Sequence, residues 1–171
     1  MAAALALIDR EGLEALSMRR LADDLGVGTM SLYHYVDDKE DLSRAVLDIV
    51  LGDFDQTAPD EPWTNMAKAV ASGFRASALA HPAAIGLLFR DGRTTSASAR
   101  WENVRRGLAA SGATSEEIRR ALRTISRFVI GWCMAEMLEI KDPTSDCRRN
   151  GDGDFAFALD VIVKGLQDRL A

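Results

Sequence analysis

The chain has 171 residues, 47% of them hydrophobic and 27% charged, with a net charge of −5 from 21 basic and 26 acidic side chains. That composition fits a soluble globular protein of one domain, or of two small ones sharing a helix, and excludes a disordered or collagen-like chain. No uninterrupted apolar run approaches the roughly 20 residues that a bilayer span requires.

The apolar start, Met1 to Ile8, lacks a basic stretch and runs into Asp9-Arg10-Glu11, so it reads as a helix over 2–11 rather than a secretion signal. Two cysteines, Cys133 and Cys147, cannot build a disulfide framework, which makes a reducing cytoplasm the simpler location. Apolar residues recur at helical spacing almost everywhere. This predicts an all-α chain with further helices near 18–25, 29–35, 38–54, 64–80, 83–90, 96–111, 115–140 and 154–170. Pro59, Pro62, Pro82 and Pro143 mark boundaries, because proline sits poorly inside a helix. The stretch Thr57 to Pro62 is the expected junction between a domain of residues 1–54 and one of residues 55–171. A second loop is expected from Lys141 to Asp154, where Pro143, Gly151 and Gly153 lie among small polar residues. Thr114-Ser115-Glu116-Glu117 predicts a capping box, Asp37-Asp38-Lys39-Glu40 a similar helix start, and Gly112 a helix stop.

The sharpest pattern runs from Met18 to Asp37 and predicts a helix-turn-helix. Ala22 is small where two helices must touch, and Gly26 tolerates the positive φ of a tight turn. Leu21, Leu25, Val27, Leu32 and either Tyr35 or Val36 fall at core-facing positions. Ser17 is placed to cap the first helix, and Gly28 or Thr29 the second. The second helix would enter the major groove of DNA, with Thr29, Ser31, Tyr33 and His34 as hydrogen-bonding side chains and Met30 as an apolar contact to a thymine methyl. Arg19 and Lys39, at the starts of the flanking helices, suit phosphate contact. Against this, residues 1–50 carry five basic and ten acidic side chains, a poor electrostatic footprint for DNA.

The segments Gly12 to Ala22, Leu25-Gly26-Val27 and Ser31 to Leu42 resemble the tetracycline-repressor (TetR/AcrR) family, as do more loosely His81-Pro82, Val129-Ile130-Gly131 and Phe155 to Asp160. The resemblance implies an N-terminal helix-turn-helix head and a C-terminal helical ligand-binding and dimerisation domain. It implies a homodimer on double-stranded operator DNA, released by a small-molecule effector. By position it assigns Thr29, Met30, Ser31, Tyr33, His34 and Lys39 to DNA contact, and it places Met1 inside the family's first helix, which would be truncated here.

The C-terminal part, residues 64–171, is mildly basic, with 16 basic and 12 acidic side chains. Its long helix, Ser126 to Leu138, is bulky on nearly all sides and must be covered on both. Ile125, Phe128, Val129 and Trp132 here, with Phe157, Val161, Ile162, Gly165 and Leu166 on the last helix, are the expected dimer interface. Phe74, His81, Leu88, Phe89, Trp101, Val104, Met134 and Met137 are the candidate pocket, although a filled core is the simpler reading of each. His81 before Pro82 fits a satisfied helix-end histidine, and Cys133 a small core residue.

No enzyme constellation is legible: two histidines, no CxxC or HExxH, and no glycine-rich phosphate loop. Glu116 and Glu117 are explained by helix-start charge. No metal or cofactor is expected. The function read from the sequence is a ligand-responsive regulator, a repressor released by a hydrophobic or aromatic molecule. The alternatives are a DNA-binding regulator controlled by a protein partner, or a helical carrier.

Overall fold

The computed structural model describes residues 1–51, 61–91, 95–141 and 151–170. Every regular element among them is helical, as the periodicity predicts. The chain divides into two compact units, Met1–Gly52 with Ser77–Ala97, and Asp53–Ala76 with Ser98–Ala171.

The first unit opens with α1 (Ala2–Glu11), which buries Ala4, Leu7 and Ile8. Gly12, at φ 86°, ends it, and a 3-10 turn (Leu13–Ala15) follows. Then come α2 (Met18–Leu25), the single turn of α3 (Thr29–Leu32) and α4 (Lys39–Val50). Asp38 caps α4: its carboxylate accepts from the Asp41 N–H at 2.8 Å, and the Asp41 carboxylate accepts from the Asp37 N–H at 3.2 Å. α5 (Trp63–Ala80) contributes its last turn to this unit.

α6 (Pro82–Asp91) packs on α1, α4 and the 3-10 turn, burying Ala84, Ile85 and Leu87. The helical segment that follows Pro82 therefore belongs with the head, together with residues drawn from the 55–171 segment. Polar links reinforce the packing. The Ser77 hydroxyl donates to the Val50 carbonyl, and His81 Nδ1 lies 2.8 Å from Asp9 Oδ2.

The second unit comprises the rest of α5, then α7 (Thr95–Ala110), α8 (Ser115–Lys141) and α9 (Gly151–Leu170). Its core holds Met66, Val70, Val104, Leu108, Ile125, Val129, Cys133, Phe155 and Leu159. The capping box forms as expected. The Thr114 N–H donates to Glu117 at 2.8 Å, and the Glu117 N–H donates to the Thr114 hydroxyl at 3.3 Å. Hydrogen bonds from Thr114 hold the Glu117 carboxyl below the usual carboxylate range.

α9 starts at Gly151, three residues before the expected 154. A β-carbon at Gly151 would lie 3.1 Å from Glu136 Oε1 and 3.3 Å from Arg75 Nη2, so glycine lets the helix start against that pair. Asp152 and Asp154 supply the acidic first turn that suits a helix N-terminus. Arg75 donates to Glu136 at 2.8 and 2.6 Å and to Asp152 at 2.6 Å, joining α5, α8 and α9. Its guanidinium carbon sits 5.0 Å from the centre of the Phe155 ring. The other ends of the expected helices and loops, residues 52–60 and 142–150, lie outside the described residues.

Candidate nucleic-acid interface

The local chemistry of residues 17–36 places one short helix in the open. The Ser17 hydroxyl accepts from the Arg20 N–H at 3.2 Å and caps α2. Gly26 adopts the left-handed conformation at φ 66°, and the N–H groups of Gly26 and Val27 return to the carbonyls of Asp23 and Ala22 at 3.2 and 3.0 Å. Ala22 is buried where α2 meets α3. α3 then begins after Gly28 and turns Leu32 inward. The expected helix over 29–35 is shorter in the structure. After Leu32 the chain forms a turn, with the Tyr35 and Val36 N–H groups both donating to the Leu32 carbonyl.

That turn settles which of two residues is core. Val36 is buried, and Tyr35 is 81% exposed. Two other expected core residues are also corrected. Leu25 and Val27 are 46% and 44% exposed, because only one turn of α3 lies over them. They border an apolar hollow of about 400 Å³ with Leu21, Leu32, Tyr35 and Val36.

The expected DNA-facing residues lie together in the first unit, on the start of α2, on α3 and its following turn, and on the start of α4. Met30 is 75% exposed; Arg19, Ser31, Tyr33, His34 and Lys39 are exposed, and Thr29 is half-buried. Tyr35, which the sequence pattern left as a core alternative, joins this exposed row.

Charge sorts the cations of the head. Arg10 pairs with Asp24 at 2.6 Å and Glu11 at 3.1 Å, Arg20 with Glu11 at 2.6 Å, and Arg44 with Asp41 at 3.2 Å. Hydrogen bonding from Arg20 holds the Glu11 carboxyl below its ordinary range. Among the described residues, Arg19 and Lys39 have no acidic partner. Three of the ten acids of residues 1–50, Glu11, Asp24 and Asp41, engage the other three arginines, which leaves the excess of five acids in place.

Residues 1–46 match the family model for bacterial regulatory proteins of the tetR family. A transcriptional regulator from Saccharopolyspora erythraea is 36% identical over 138 residues, covering 80% of this chain and 58% of the relative. The N-terminal part of the chain is a TetR-family domain. Among solved structures, a TetR variant from Acinetobacter baumannii in complex with minocycline is similar over 99% of this chain and 95% of its own, at 26% identity and a TM-score of 0.79. BioQ with its double-stranded DNA operator is similar over 96% and 94%, at 26% identity and a TM-score of 0.73. The chain spans between 52% and 64% of the length of the first curated relatives it matches. No described helix of this chain is long and apolar enough to cross a membrane.

The candidate pocket residues fall in different places. His81 and Leu88 belong to the first unit, where His81 is engaged by Asp9 as a helix-end histidine. Phe74, Trp101, Val104, Met134 and Met137 belong to the second, where Val104 is fully buried and Met134 is exposed. The side chain of Phe89 and all of Cys147 lie outside the described residues. The described cleft of the second unit, about 500 Å³, is lined instead by the start of α5 and the end of α7, including Trp63, Met66, Asn103 and Arg106. No pattern in the sequence singled these residues out.

Of the expected interface residues, Ile125 and Val129 are buried within the chain's own unit and present no surface to a partner. Phe128 and Trp132 are half-buried and form an aromatic cluster with Phe155, with ring centres 5.5 to 5.8 Å apart. Phe157, Val161 and Gly165 are exposed, and Ile162 and Leu166 are half-buried. Cys133 is a buried core thiol, and burial pushes its pKa up to about 11.

Proposed function

We propose that the chain is a DNA-binding transcriptional repressor that acts as a homodimer and releases its operator when a small hydrophobic or aromatic molecule binds. The observation that carries this reading is the exposed row on α3 and its turn, flanked by Arg19 and Lys39, which have no acidic partner among the described residues. Thr29, Ser31, Tyr33, Tyr35 and His34 offer donors and acceptors to base edges and phosphates, and Met30 offers a thymine-methyl contact. Arg19 and Lys39 stand where two phosphates would flank the groove. Residues 1–54 are the proposed DNA-binding part, and residues 55–171 the proposed ligand-binding and dimerisation part.

Relatives support the repressor, DNA-binding and small-molecule elements. A matched curated protein from Streptomyces coeruleorubidus is a transcriptional repressor. BioQ binds its operator DNA, and the A. baumannii TetR variant binds minocycline. The proposed dimer surface is the apolar row left uncovered on α8 and α9: Met134, Leu138, Phe157 and Val161 are exposed large apolar residues, and Gly165 leaves room for a close helix approach. An isologous pairing of these two helices with their mates would cover it. In the dimer, two heads would sit one DNA turn apart, and the effector would favour a state whose heads no longer match that spacing. Such a regulator works in the cytoplasm.

A fluorescence-anisotropy titration on DNA from upstream of the protein's own gene tests the reading. Tyr33→Ala and His34→Ala change exposed side chains, so circular dichroism and dimer mass should be unchanged while sequence-specific retention is lost. Unchanged operator binding in both variants would overturn it.

A further inference from the structure

The cleft at the start of α5 and the end of α7 is unclaimed by the proposed DNA surface and by the expected pocket residues. Its volume of about 500 Å³ lies in the range of small-molecule sites. Its walls are unequal in chemistry. Trp63 and Met66 are buried and give an apolar wall on the first turn of α5. Glu61, Asn103 and Arg106 bring polar groups to the rim.

We infer that this cleft binds a compact aromatic carboxylate, with its ring against Trp63 and Met66 and its carboxylate on the Arg106 guanidinium. Two independent features point there. The first is the shape of the apolar wall. A β-carbon at Gly107 would lie 2.7 Å from the Trp63 β-carbon and 3.3 Å from its α-carbon. Glycine is what allows α7 to lie directly on the Trp63 backbone. The Trp63 backbone is therefore held against α7 and its side chain is buried, so little ordering cost falls on binding.

The second feature is the charge at the rim. The neighbouring Arg105 is held by Glu102 at 2.6 Å. Among the described residues, Arg106 meets only the neutral side-chain oxygen of Asn103. A guanidinium has five N–H donors in a fixed fork, so most of its donors stay available to a bidentate acid. The lining acid, Glu61, already accepts from the Asn65 amide at 2.7 Å. An anionic oxygen pair is the group that Arg106 lacks, and an aromatic body is the shape that the Trp63 wall accepts.

The site would narrow the effector of the proposed repressor to an acid, and to that extent it rests on that reading. The binding itself does not. Isothermal titration calorimetry on the full chain without DNA tests it, using 2-naphthoate and its neutral isostere 2-naphthamide. A failure here is therefore read separately from a failure of operator binding. The expected result is binding of both, with the acid about tenfold tighter. Arg106→Gln, at an exposed position, should bring the two affinities together, and Arg105→Gln should leave the preference intact. Absence of heat from either compound, equal affinities in the wild type, or a preference that survives Arg106→Gln would overturn the assignment.

Discussion

Replacing Lys39 by Ala should change how operator affinity depends on salt, and the size of the change follows from the ion pairs of the head. Each phosphate neutralised by a protein cation contributes about −0.9 to the slope of log affinity against log salt. Lys39 has no acidic partner among the described residues, so its charge is available to a phosphate. A dimer presents it twice, and Lys39→Ala removes two contacts from the complex. The slope should then become shallower by about 1.8. Between about 50 and about 200 mM salt, wild-type affinity should fall about twelvefold further than that of the variant. Arg19→Ala should behave alike. Arg44→Ala and Arg20→Ala remove guanidiniums already held by Asp41 at 3.2 Å and Glu11 at 2.6 Å, so the slope should barely move. Anisotropy titrations of the four variants across that salt range read the slopes directly. A Lys39→Ala slope equal to wild type, or an Arg44→Ala change as large as that of Lys39→Ala, would refute the division of the cations into spent and available.

Three further outcomes follow from the fold. Arg75 and Glu136 are only 12% and 15% exposed, so Arg75→Met should cost about 2–4 kcal/mol in urea unfolding at fixed protein concentration. Arg75→Met with Glu136→Leu should recover about half of that, and a double variant no better than Arg75→Met alone would count against the pairing. Gly26→Ala meets no atom within 4 Å, so its cost is the left-handed backbone alone, about 1 kcal/mol and a fall of about 2–4 °C in Tm, with Gly26→Asn milder. A rise in Tm for Gly26→Ala would contradict this. The Cys133 thiol, with its pKa pushed up to about 11, stays protonated as pH rises through 8. In a Cys147→Ser background, iodoacetamide should label it at pH 8 only after denaturant is added, and rapid labelling of the folded chain would show an open core.

Most of the helices were legible because their signals are local. Ser17 and Thr114 cap where expected, the cap of α4 falls on Asp38 within the expected start Asp37 to Glu40 but one residue late, and Gly26 and Gly112 take the positive φ that only glycine adopts freely. The exposed row proposed to face DNA was legible as an exposed row for the same reason: a tight turn of fixed length sets which side chains of α3 point outward. What was missed depends on partners distant in sequence. Periodicity marks Leu25 and Val27 as apolar, but it cannot say that a one-turn α3 leaves them half open. It places Ile125 and Val129 on an apolar stripe without saying that the chain's own helices bury that side. α9 starts early because Gly151 fits against Glu136 and Arg75, which are 15 and 76 positions away along the chain. The Trp63 cleft needs Gly107 beside it, a pairing that no local spacing reveals.

The placement of α6 bears on how freely this head could be transplanted. The chain passes between its two units after Gly52, after Ala76 and after Ala97, so no single cut separates them. A fragment ending at residue 52 would leave behind Ala84, Ile85 and Leu87, the side chains that α6 buries in the first unit. It would also leave Asp9 without His81 and the Val50 carbonyl without the Ser77 hydroxyl. Grafting the proposed DNA-binding head onto another domain therefore means carrying residues 77–97 with it. In this chain the portable cassette is discontinuous in sequence, and a chimera joined only after α4 would put an uncovered apolar face into solvent.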